Sequence, residues 1–197
     1  MHGFVYIRGM DNVEIVPGLT MPFYPMRPRL GLCLRTPRLV QEFYAEIRDP
    51  DQWICQPKLN GHRACLAVVD KRVYVQNRHG GWYSRSVHNI PVFLKLPNRT
   101  CLDGEVYKGD FHPFECLAVG GNPFMHCTAN EREVMACQLL RLIEQPWMFE
   151  RPSRAWLMRG RDNLPDFEGV VLKRVNSPYR LLGSDAQTSA DWFKRRW

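Results

Sequence analysis

The sequence predicts an α+β domain built mostly of antiparallel strands with flanking helices. Short β-rich runs separated by turn residues follow one another from about residue 52 to residue 117, as in antiparallel sheets. Helical spacing of apolar residues is confined to one segment before this region and one after it. The sequence contains no internal repeat or low-complexity tract, so we expect one domain at residues 36–197, with residues 1–35 as an N-terminal arm of the same domain.

The N-terminal arm contains two strand-like pieces, at residues 4–7 and 13–16, and a proline-rich stretch that begins at Pro17. It shows no clear periodic core. The first helix is expected to begin at Thr36, an N-cap residue followed by a first-turn proline, and to end near Asp49 and Pro50.

The remaining elements follow from local patterns. A capping box at residues 130–133 predicts the start of a second helix, which ends near Pro146. Strands are expected at residues 53–56, 64–69, 73–76, 100–107, 114–117, 155–158, 169–175 and 192–196.

The net charge indicates an anionic partner. The 197 residues include 27 Lys and Arg against 20 Asp and Glu, a formal charge of +7. Such an excess favours binding to a nucleotide or a nucleic acid, and the alternative is a basic surface kept for solubility. The sequence has neither a run of eighteen apolar residues nor a secretory signal, which predicts a cytoplasmic protein, or a nuclear or viral one if it is not bacterial. The seven cysteines, odd in number and without a C-x-x-C pair, are expected to be reduced core thiols.

Lys58 is the first candidate for chemistry. It follows an apolar run and precedes Gly61, in the segment Gln-Pro-Lys-Leu-Asn-Gly. A lysine becomes a nucleophile when nearby cations or desolvation lower its pKa, and a glycine permits close approach of backbone and phosphate. The alternative is a solvated lysine in a turn.

Two carboxylates form a second candidate. Asp103 and Glu105 are two residues apart on a predicted strand and therefore point to the same face. Such a pair suits a ribose hydroxyl and a divalent cation, and the alternative is a hairpin turn with solvated acids.

The C-terminal region supplies two further candidates. Glu168 enters an apolar strand in which alternation turns Val171 and Lys173 to one face, and a lysine among core residues needs an anionic partner such as a phosphate. Lys194 and Arg196 alternate onto one face of the last strand, between aromatic residues. A frayed basic tail is the alternative for this last strand.

The order of these motifs is more specific than any one of them. From about residue 54 to residue 196 it resembles the covalent nucleotidyltransferase superfamily, which contains ATP-dependent DNA ligases, RNA ligases and mRNA capping enzymes. The segment from Arg27 to Leu30 resembles the one that often precedes the lysine motif. The motifs are Lys-x-x-Gly, Asn77-Arg78-His79-Gly80, Asp-Gly-Glu, Phe114-Glu115, Glu-Gly-Val-Val-Leu-Lys and Trp-x-Lys-x-Arg. The resemblance implies a nucleotidyltransferase fold, similar to ATP-grasp, around a nucleotide cleft.

The resemblance also implies roles for individual residues. Lys58 matches the nucleophile that forms lysyl-AMP, and Lys173 and Lys194 match lysines that neutralise the α-phosphate. Phe114 resembles the aromatic residue that stacks on the base, and Arg132 a basic residue of the following helix. The implied nucleotide-binding residues are Gln56, Pro57, Arg63, Arg78, Glu105, Phe114, Lys173 and Lys194; the metal ligands are Glu105 and Glu168; and the nucleic-acid contacts are Arg78, Arg195 and Arg196.

The implied activity is that of an ATP-dependent DNA ligase of DNA repair or replication. Its cofactors would be ATP and Mg²⁺ or Mn²⁺, and its partner a nicked duplex with a 5′-phosphate and a 3′-hydroxyl. Asn60 stands where DNA ligases usually carry Asp, which leaves RNA ligase open. Gln56 replaces a usual Glu, but its carbonyl oxygen can accept the same hydrogen bond from adenine.

Three further expectations concern a following domain, the nucleotide used and the class of protein. The sequence printed here contains no OB-fold domain after Trp197, so we expect either a catalytic domain of a longer chain or a minimal enzyme that works alone or takes this function from a partner. A GTP-using capping enzyme is disfavoured because its fourth motif usually reads Asp-Gly. A non-catalytic nucleic-acid-binding module with a decayed site is the alternative from another class.

Overall fold

The computed structural model describes residues 12–49, 51–163, 166–184 and 186–197. The strands, in chain order, are β1 (Val13–Val16), β2 (Leu19–Met21), β3 (Pro28–Leu30), β4 (Trp53–Leu59), β5 (His62–Val69), β6 (Arg72–Asn77), β7 (Thr100–Tyr107), β8 (Asp110–Val119), β9 (Asn122–Pro123), β10 (Phe167–Arg174) and β11 (Ser189–Arg196). The helices are α1 (Pro37–Ile47), α2 (Ile90–Phe93), α3 (Ala129–Leu142) and α4 (Arg154–Arg159), and a 3-10 helix spans Gly160–Asn163.

The strands form two large sheets and a small hairpin. One sheet has four strands in the order β3-β11-β10-β4, and the other has five in the order β6-β5-β7-β8-β9. All pairings are antiparallel except that of β3 with β11, which is parallel. The predicted α+β class with mostly antiparallel sheets is therefore confirmed.

The N-terminal arm, in which the sequence shows no clear periodic core, contributes to the core of the structure. Ile15, Leu19 and Met21 of the β1–β2 hairpin are fully buried and pack in one cluster with Phe114 and Trp192 of the two large sheets. Each of these strands has only three or four residues. The alternation of buried and exposed side chains is therefore too short to be recognised in the sequence. The strand predicted at residues 4–7 lies outside the described residues.

Helix starts follow side-chain caps. The Thr36 hydroxyl accepts a hydrogen bond from the Leu39 amide at 3.3 Å, which begins α1 as predicted. The capping box of α3 joins Thr128 and Glu131, two residues before the predicted position. The prediction was wrong there because Thr128 and Glu131 have the Thr-x-x-Glu spacing in which each side chain bonds the backbone amide of the other residue.

The strand predicted at residues 155–158 is wrong, because these residues lie in α4. The Ser153 hydroxyl accepts from the Trp156 amide at 3.2 Å and starts this helix, of which Leu157 is the buried residue. The strand predicted to end at residue 56 continues to Leu59, so that Lys58 lies on a strand and not in a turn. This position holds the lysine backbone in a ladder with β10.

A buried carboxylate connects the two sheets and α3. Glu115 of β8 is fully buried, and its Oε2 accepts from Nε of Arg132 in α3 at 2.8 Å. Its Oε1 lies 2.8 Å from Nζ of Lys173 in β10. Burial alone would raise the pKa of Glu115, but the charges of Lys173 and Arg132 hold that pKa below its usual value.

All seven cysteines lie among the described residues, and none of them forms a disulfide. Four of them are buried, and burial raises the pKa of the Cys65 and Cys101 thiols well above the usual value. The expectation that all seven are core thiols is wrong for the other three, which are only partly buried: Cys33, Cys127 and Cys137. Within the described ranges, no helix combines the length and the apolar character needed to cross a membrane.

Candidate active site

A cleft of about 490 Å³ lies between the two large sheets, within the size range of small-molecule sites. Of the predicted site residues, all line this cleft except Asp103, Arg132 and Arg195. Those that line it are Gln56, Pro57, Lys58, Arg63, Arg78, Glu105, Phe114, Glu168, Lys173, Lys194 and Arg196.

Lys58 lies on the cleft wall next to an acidic residue. Its Nζ forms an ion pair with Glu168 and donates to the carbonyl oxygen of Leu59 at 3.3 Å. The ladder between β4 and β10 is irregular between Phe167 and Gly169, a bulge of the kind that re-aims a side chain. The bulge accounts for the direction of Glu168, which sits between these two residues and reaches the lysine.

Two glycines permit close backbone approaches at this place. Gly169 has a φ of +150°, and a Cβ there would lie 2.0 Å from the carbonyl oxygen of Arg195. A Cβ on Gly61 would lie 2.5 Å from the carbonyl oxygen of Val106. Gly61 therefore allows the lysine motif to pack closely against β7. From the sequence, we expected this glycine to allow the close approach of a phosphate.

The two predicted carboxylates have different environments. Asp103 is fully buried and accepts from Arg63, whose Nε lies 2.7 Å from Oδ1, and from the Tyr179 hydroxyl at 2.7 Å. Glu105 lines the cleft instead. Burial raises the pKa of Glu105 to about 7, although the charges of Lys58 and Arg63 oppose that shift. Glu105 is therefore a cleft carboxyl that exchanges its proton near neutral pH.

Two aromatic rings hold cations at the floor of the cleft. The Nζ of Lys173 lies 4.5 Å from the ring centroid of Phe114 and 4.4 Å from that of Trp192. The Arg63 guanidinium lies 4.9 Å and 5.3 Å from the same two centroids. These distances are typical of cation–π interactions. Phe114 is only 8% exposed, so little of its ring surface is open to a base in the cleft.

Lys173 is buried and already has an anionic partner. Its side chain is 1% exposed, and Glu115 supplies the negative charge that the sequence analysis expected from a phosphate. Burial lowers the pKa of Lys173, and the Glu115 charge opposes that effect. The structure therefore places Lys173 at the cleft floor, where it is less free to meet a ligand than Lys194.

A cationic wall faces Lys58. Burial lowers the pKa of Lys194, and so do the nearby charges, of which that of Arg196 is the largest. Such a concentration of positive charge favours a polyanion, whose binding relieves the mutual repulsion. The cations of this wall that line the cleft are Arg27, Arg78, Lys194 and Arg196.

Arg195 lies on the opposite face of β11. Its Nη2 is 2.8 Å from Oε2 of Glu46 in α1, and its guanidinium packs over the ring of Phe43 at 4.9 Å. Successive strand residues point to opposite faces, so Arg195 does not share the cleft with its neighbours. The structure thus separates it from the other predicted nucleic-acid contacts.

The predicted metal ligands Glu105 and Glu168 line the same cleft. Among the described residues, no three His, Cys, Asp or Glu side chains come together as a metal site. Mg²⁺ is commonly held by one or two carboxylates together with waters and substrate phosphates, so this pair fits a metal that arrives with a nucleotide.

Sequence reasoning missed two contributors and misplaced a third residue. Glu115 was noted in a motif but not paired, although the need of Lys173 for an anion was a signal for such a partner. Tyr179 supports Asp103 from a loop that carries no motif. Arg132, expected to resemble a functional helix residue, is fully buried on Glu115 and lies outside the cleft lining.

Comparisons with known proteins support the fold. No family model and no curated protein matches this chain. Among solved structures, the ligase domain of M. tuberculosis LigD matches with a TM-score of 0.61 and 18% identity, over 88% of this chain and 59% of that one. A mycobacterial DNA ligase D complexed with ATP and MES matches with a TM-score of 0.60 and 17% identity, over 88% of this chain and 60% of that one. The protein Pmar-Lig_PreS3 matches with a TM-score of 0.58 and 14% identity, over 89% of this chain and 47% of that one.

This chain therefore spans about 60% of the length of the two mycobacterial structures. At such identities the likeness shows a common fold. The fold predicted from the motif order is confirmed, and the chain has the fold of these DNA ligase domains.

The raised pKa of Glu105 predicts a pH-dependent stability. The folded state binds this proton more tightly than the unfolded state, whose carboxyl titrates near 4.5. The resulting stabilisation is complete below about pH 4.5 and is lost as the pH rises through about 7. Between these values, we expect the unfolding free energy of the wild type to fall by roughly 2 kcal/mol relative to Glu105→Gln, as urea unfolding would measure. Parallel pH profiles of the two proteins would contradict this expectation.

Proposed function

We propose that this chain is the nucleotidyltransferase domain of an ATP-dependent polynucleotide ligase that acts on DNA. The observation that carries the proposal is the cleft itself. It combines a strand-held lysine in contact with a carboxylate, Lys58 with Glu168, and a wall of cations that includes Lys194 and Arg196. An amine nucleophile opposite a polyanion site is what transfer of a nucleotide to lysine requires.

In the first step, Nζ of Lys58 attacks the α-phosphorus of ATP. A P–N bond forms, the bond from the α-phosphorus to the bridging oxygen breaks, and pyrophosphate leaves with that electron pair. The ammonium must lose one proton before attack, and the nitrogen loses a second as the phosphoramidate forms. Glu168 contacts this amine and is placed to accept the first proton, while the second passes to solvent.

The cleft cations supply electrostatic stabilisation. Lys194 and Arg196, with Arg27 and Arg78 nearby, offset the negative charge that the phosphates carry through the transfer. Glu105 and Glu168 would hold Mg²⁺ or Mn²⁺ together with phosphate oxygens, and the metal would further neutralise those phosphates. Phe114 and Gln56, deeper in the cleft, would contact the base.

The later steps concern the polynucleotide. AMP would pass from Lys58 to the 5′-phosphate at a nick, and the 3′-hydroxyl would then displace AMP and seal the strand. Arg78, which is exposed, and Arg196 are placed to contact the phosphate backbone at the mouth of the cleft. Such a ligase would serve DNA repair or replication. RNA ligation is the second candidate, because Asn60 replaces the Asp typical of DNA ligases.

Incubation with ATP and Mg²⁺ is predicted to add an AMP-sized, acid-labile mass to the protein. The adduct should be absent from Lys58→Ala, because no other residue occupies the nucleophile position. Intact-mass spectrometry measures it, and Lys95→Ala, which removes an exposed lysine, is the matched control and should react as the wild type does.

The preformed adduct then discriminates between substrates. Adding nicked DNA or nicked RNA without free ATP should discharge AMP onto the DNA 5′-phosphate, and discharge onto RNA alone would support the second candidate. A folded protein that forms no adduct and arrives without AMP already attached would contradict the proposed function.

Two adjacent arginines provide a second, internally controlled prediction. Arg196 lines the cleft, whereas Arg195 pairs with Glu46 on the other face of β11. Loss of a charged contact to the phosphates should slow adduct formation by Arg196→Ala at least about tenfold. Arg195→Ala should stay within about twofold of the wild-type rate, because its side chain packs against Glu46 and Phe43 on the face of β11 that is turned away from the cleft. Equal rates for the two variants, measured by single-turnover kinetics, would contradict the cationic-wall assignment.

A further inference from the structure

The loop that carries Arg78 to the mouth of the cleft is shaped from within by one side chain. This loop, residues 77–82, is called the Arg78 loop below. Oδ1 of Asn77 accepts from the His79 amide at 2.8 Å and from the Gly81 amide at 3.3 Å. The Asn77 amide in turn donates to the carbonyl oxygen of Gly81 at 2.7 Å. An asparagine that bonds the backbone two residues on is typical of tight turns, and all of these bonds lie within the loop.

The ring of Tyr24, in the N-terminal arm, supports the Arg78 loop from outside. A Cβ on Gly80 would lie 3.1 Å from one atom of this ring and 3.3 Å from two others. These distances are shorter than ordinary van der Waals contacts, so the ring fills the space that a side chain at Gly80 would need. Tyr24 lies outside the cleft lining and is half-buried. The arm therefore packs directly against the loop, one turn away from the substrate side.

The backbone on both sides of this ring is fixed. The Phe23 amide donates to Oε1 of Gln76 at 2.9 Å, and the Phe23 carbonyl oxygen accepts from Nε2 of Gln76 at 2.6 Å. Gln76 is fully buried and stands in β6, directly before the Arg78 loop. The carbonyl oxygen of Tyr24 accepts from the Leu182 amide at 3.0 Å. Tyr24 thus presents its ring from a rigid part of the arm.

Arg78 benefits from a fixed loop because its own side chain is exposed. Nε of Arg78 donates to Nε2 of His79 at 3.0 Å, so the neighbouring residue of the loop orients the guanidinium. An arginine has many rotamers, and it loses that freedom when it binds a phosphate. A loop whose backbone is already fixed reduces this loss, and the ring on Gly80 is what holds its far end.

We propose that Tyr24 is a positioning residue for Arg78. By holding the Arg78 loop at Gly80, it directs the guanidinium toward the phosphates of nicked DNA at the mouth of the cleft. This inference rests on the proposed function and deepens it, because it gives the N-terminal arm a part in the polynucleotide step. Tyr24 itself touches neither the nucleotide nor the reacting atoms.

The first arm of the test measures transfer of AMP from the preformed adduct to nicked DNA in single turnovers, at a DNA concentration below saturation. Tyr24→Ala should form the adduct with ATP, which also shows that it folds. Its transfer to DNA should be roughly fivefold slower than that of the wild type. Arg78→Ala should be at least about tenfold slower. In the Arg78→Ala background, the further change Tyr24→Ala should alter the rate by less than about twofold, since the two residues act as one unit.

The second arm measures the salt dependence of nicked-DNA binding, by fluorescence anisotropy in the absence of metal. Loss of one phosphate contact lowers the slope of log affinity against log salt concentration by about one, as expected for Arg78→Ala. Tyr24→Ala removes no charge, yet it should lower the slope by roughly half as much, because Arg78 then engages its phosphate only part of the time. A loss of folded protein alone would leave the slope unchanged.

Two variants serve as controls. Tyr24→Phe keeps the ring on Gly80 and should stay within about twofold of the wild-type transfer rate. Tyr44→Ala removes another half-buried tyrosine, from α1 and outside the cleft lining, and should leave both the transfer rate and the salt slope unchanged.

The outcomes separate the two proposals. The role of Tyr24 would be overturned, while the ligase chemistry stands, if Tyr24→Ala transferred AMP as the wild type does, formed no adduct, or kept the wild-type salt slope. An equal slowing by Tyr24→Ala with and without Arg78, or a Tyr24→Phe as slow as Tyr24→Ala, would do the same. A folded wild type that forms no adduct would overturn the proposed function and this inference with it.

Discussion

The arrangement of the cleft depends on one buried carboxylate. Glu115 forms ion pairs with Arg132 of α3 and with Lys173 of β10. A single side chain of β8 therefore connects the five-stranded sheet, the four-stranded sheet and the helix. Removing one partner of such a buried pair typically costs about 3–5 kcal/mol, because a charge is left without compensation. Glu115 therefore fixes the distance between the two sheets, and with it the floor of the cleft.

This connection explains how a cationic cleft can remain folded. Lys173 and Arg63 sit at its floor, each neutralised by a buried acid, Glu115 or Asp103, and both packed against the rings of Phe114 and Trp192. On the wall formed by β11 and its surroundings, Nη2 of Arg196 lies 3.5 Å from Oε1 of the partly exposed Glu168, and burial together with the neighbouring positive charges lowers the pKa of Lys194. The acids thus divide the basic residues into a structural group at the floor and a group at the wall that is available to phosphates.

The alternation of side chains between the two faces of a strand could be predicted from the sequence. This alternation determines which strand residues face the cleft. It turns Lys194 and Arg196 to the cleft, as predicted, and it turns Arg195 away, which the motif alone did not show. The partner of Lys173 could not be predicted, because Glu115 is far away in sequence and meets it only through the packing of two sheets. The helix at residues 154–159 was missed for a local reason: one buried residue, Leu157, gives no helical period.

The central claim is that this cleft holds a nucleotide with its α-phosphate beside Lys58. A crystal structure of the protein with an ATP analogue whose α,β-bridging oxygen is replaced by a methylene group tests it most directly, because this analogue cannot transfer AMP. The account predicts the α-phosphorus next to Nζ of Lys58, the phosphates along Lys194 and Arg196, and the base between Gln56 and Phe114. A nucleotide bound elsewhere, or one with its triphosphate directed away from Lys58, would contradict it.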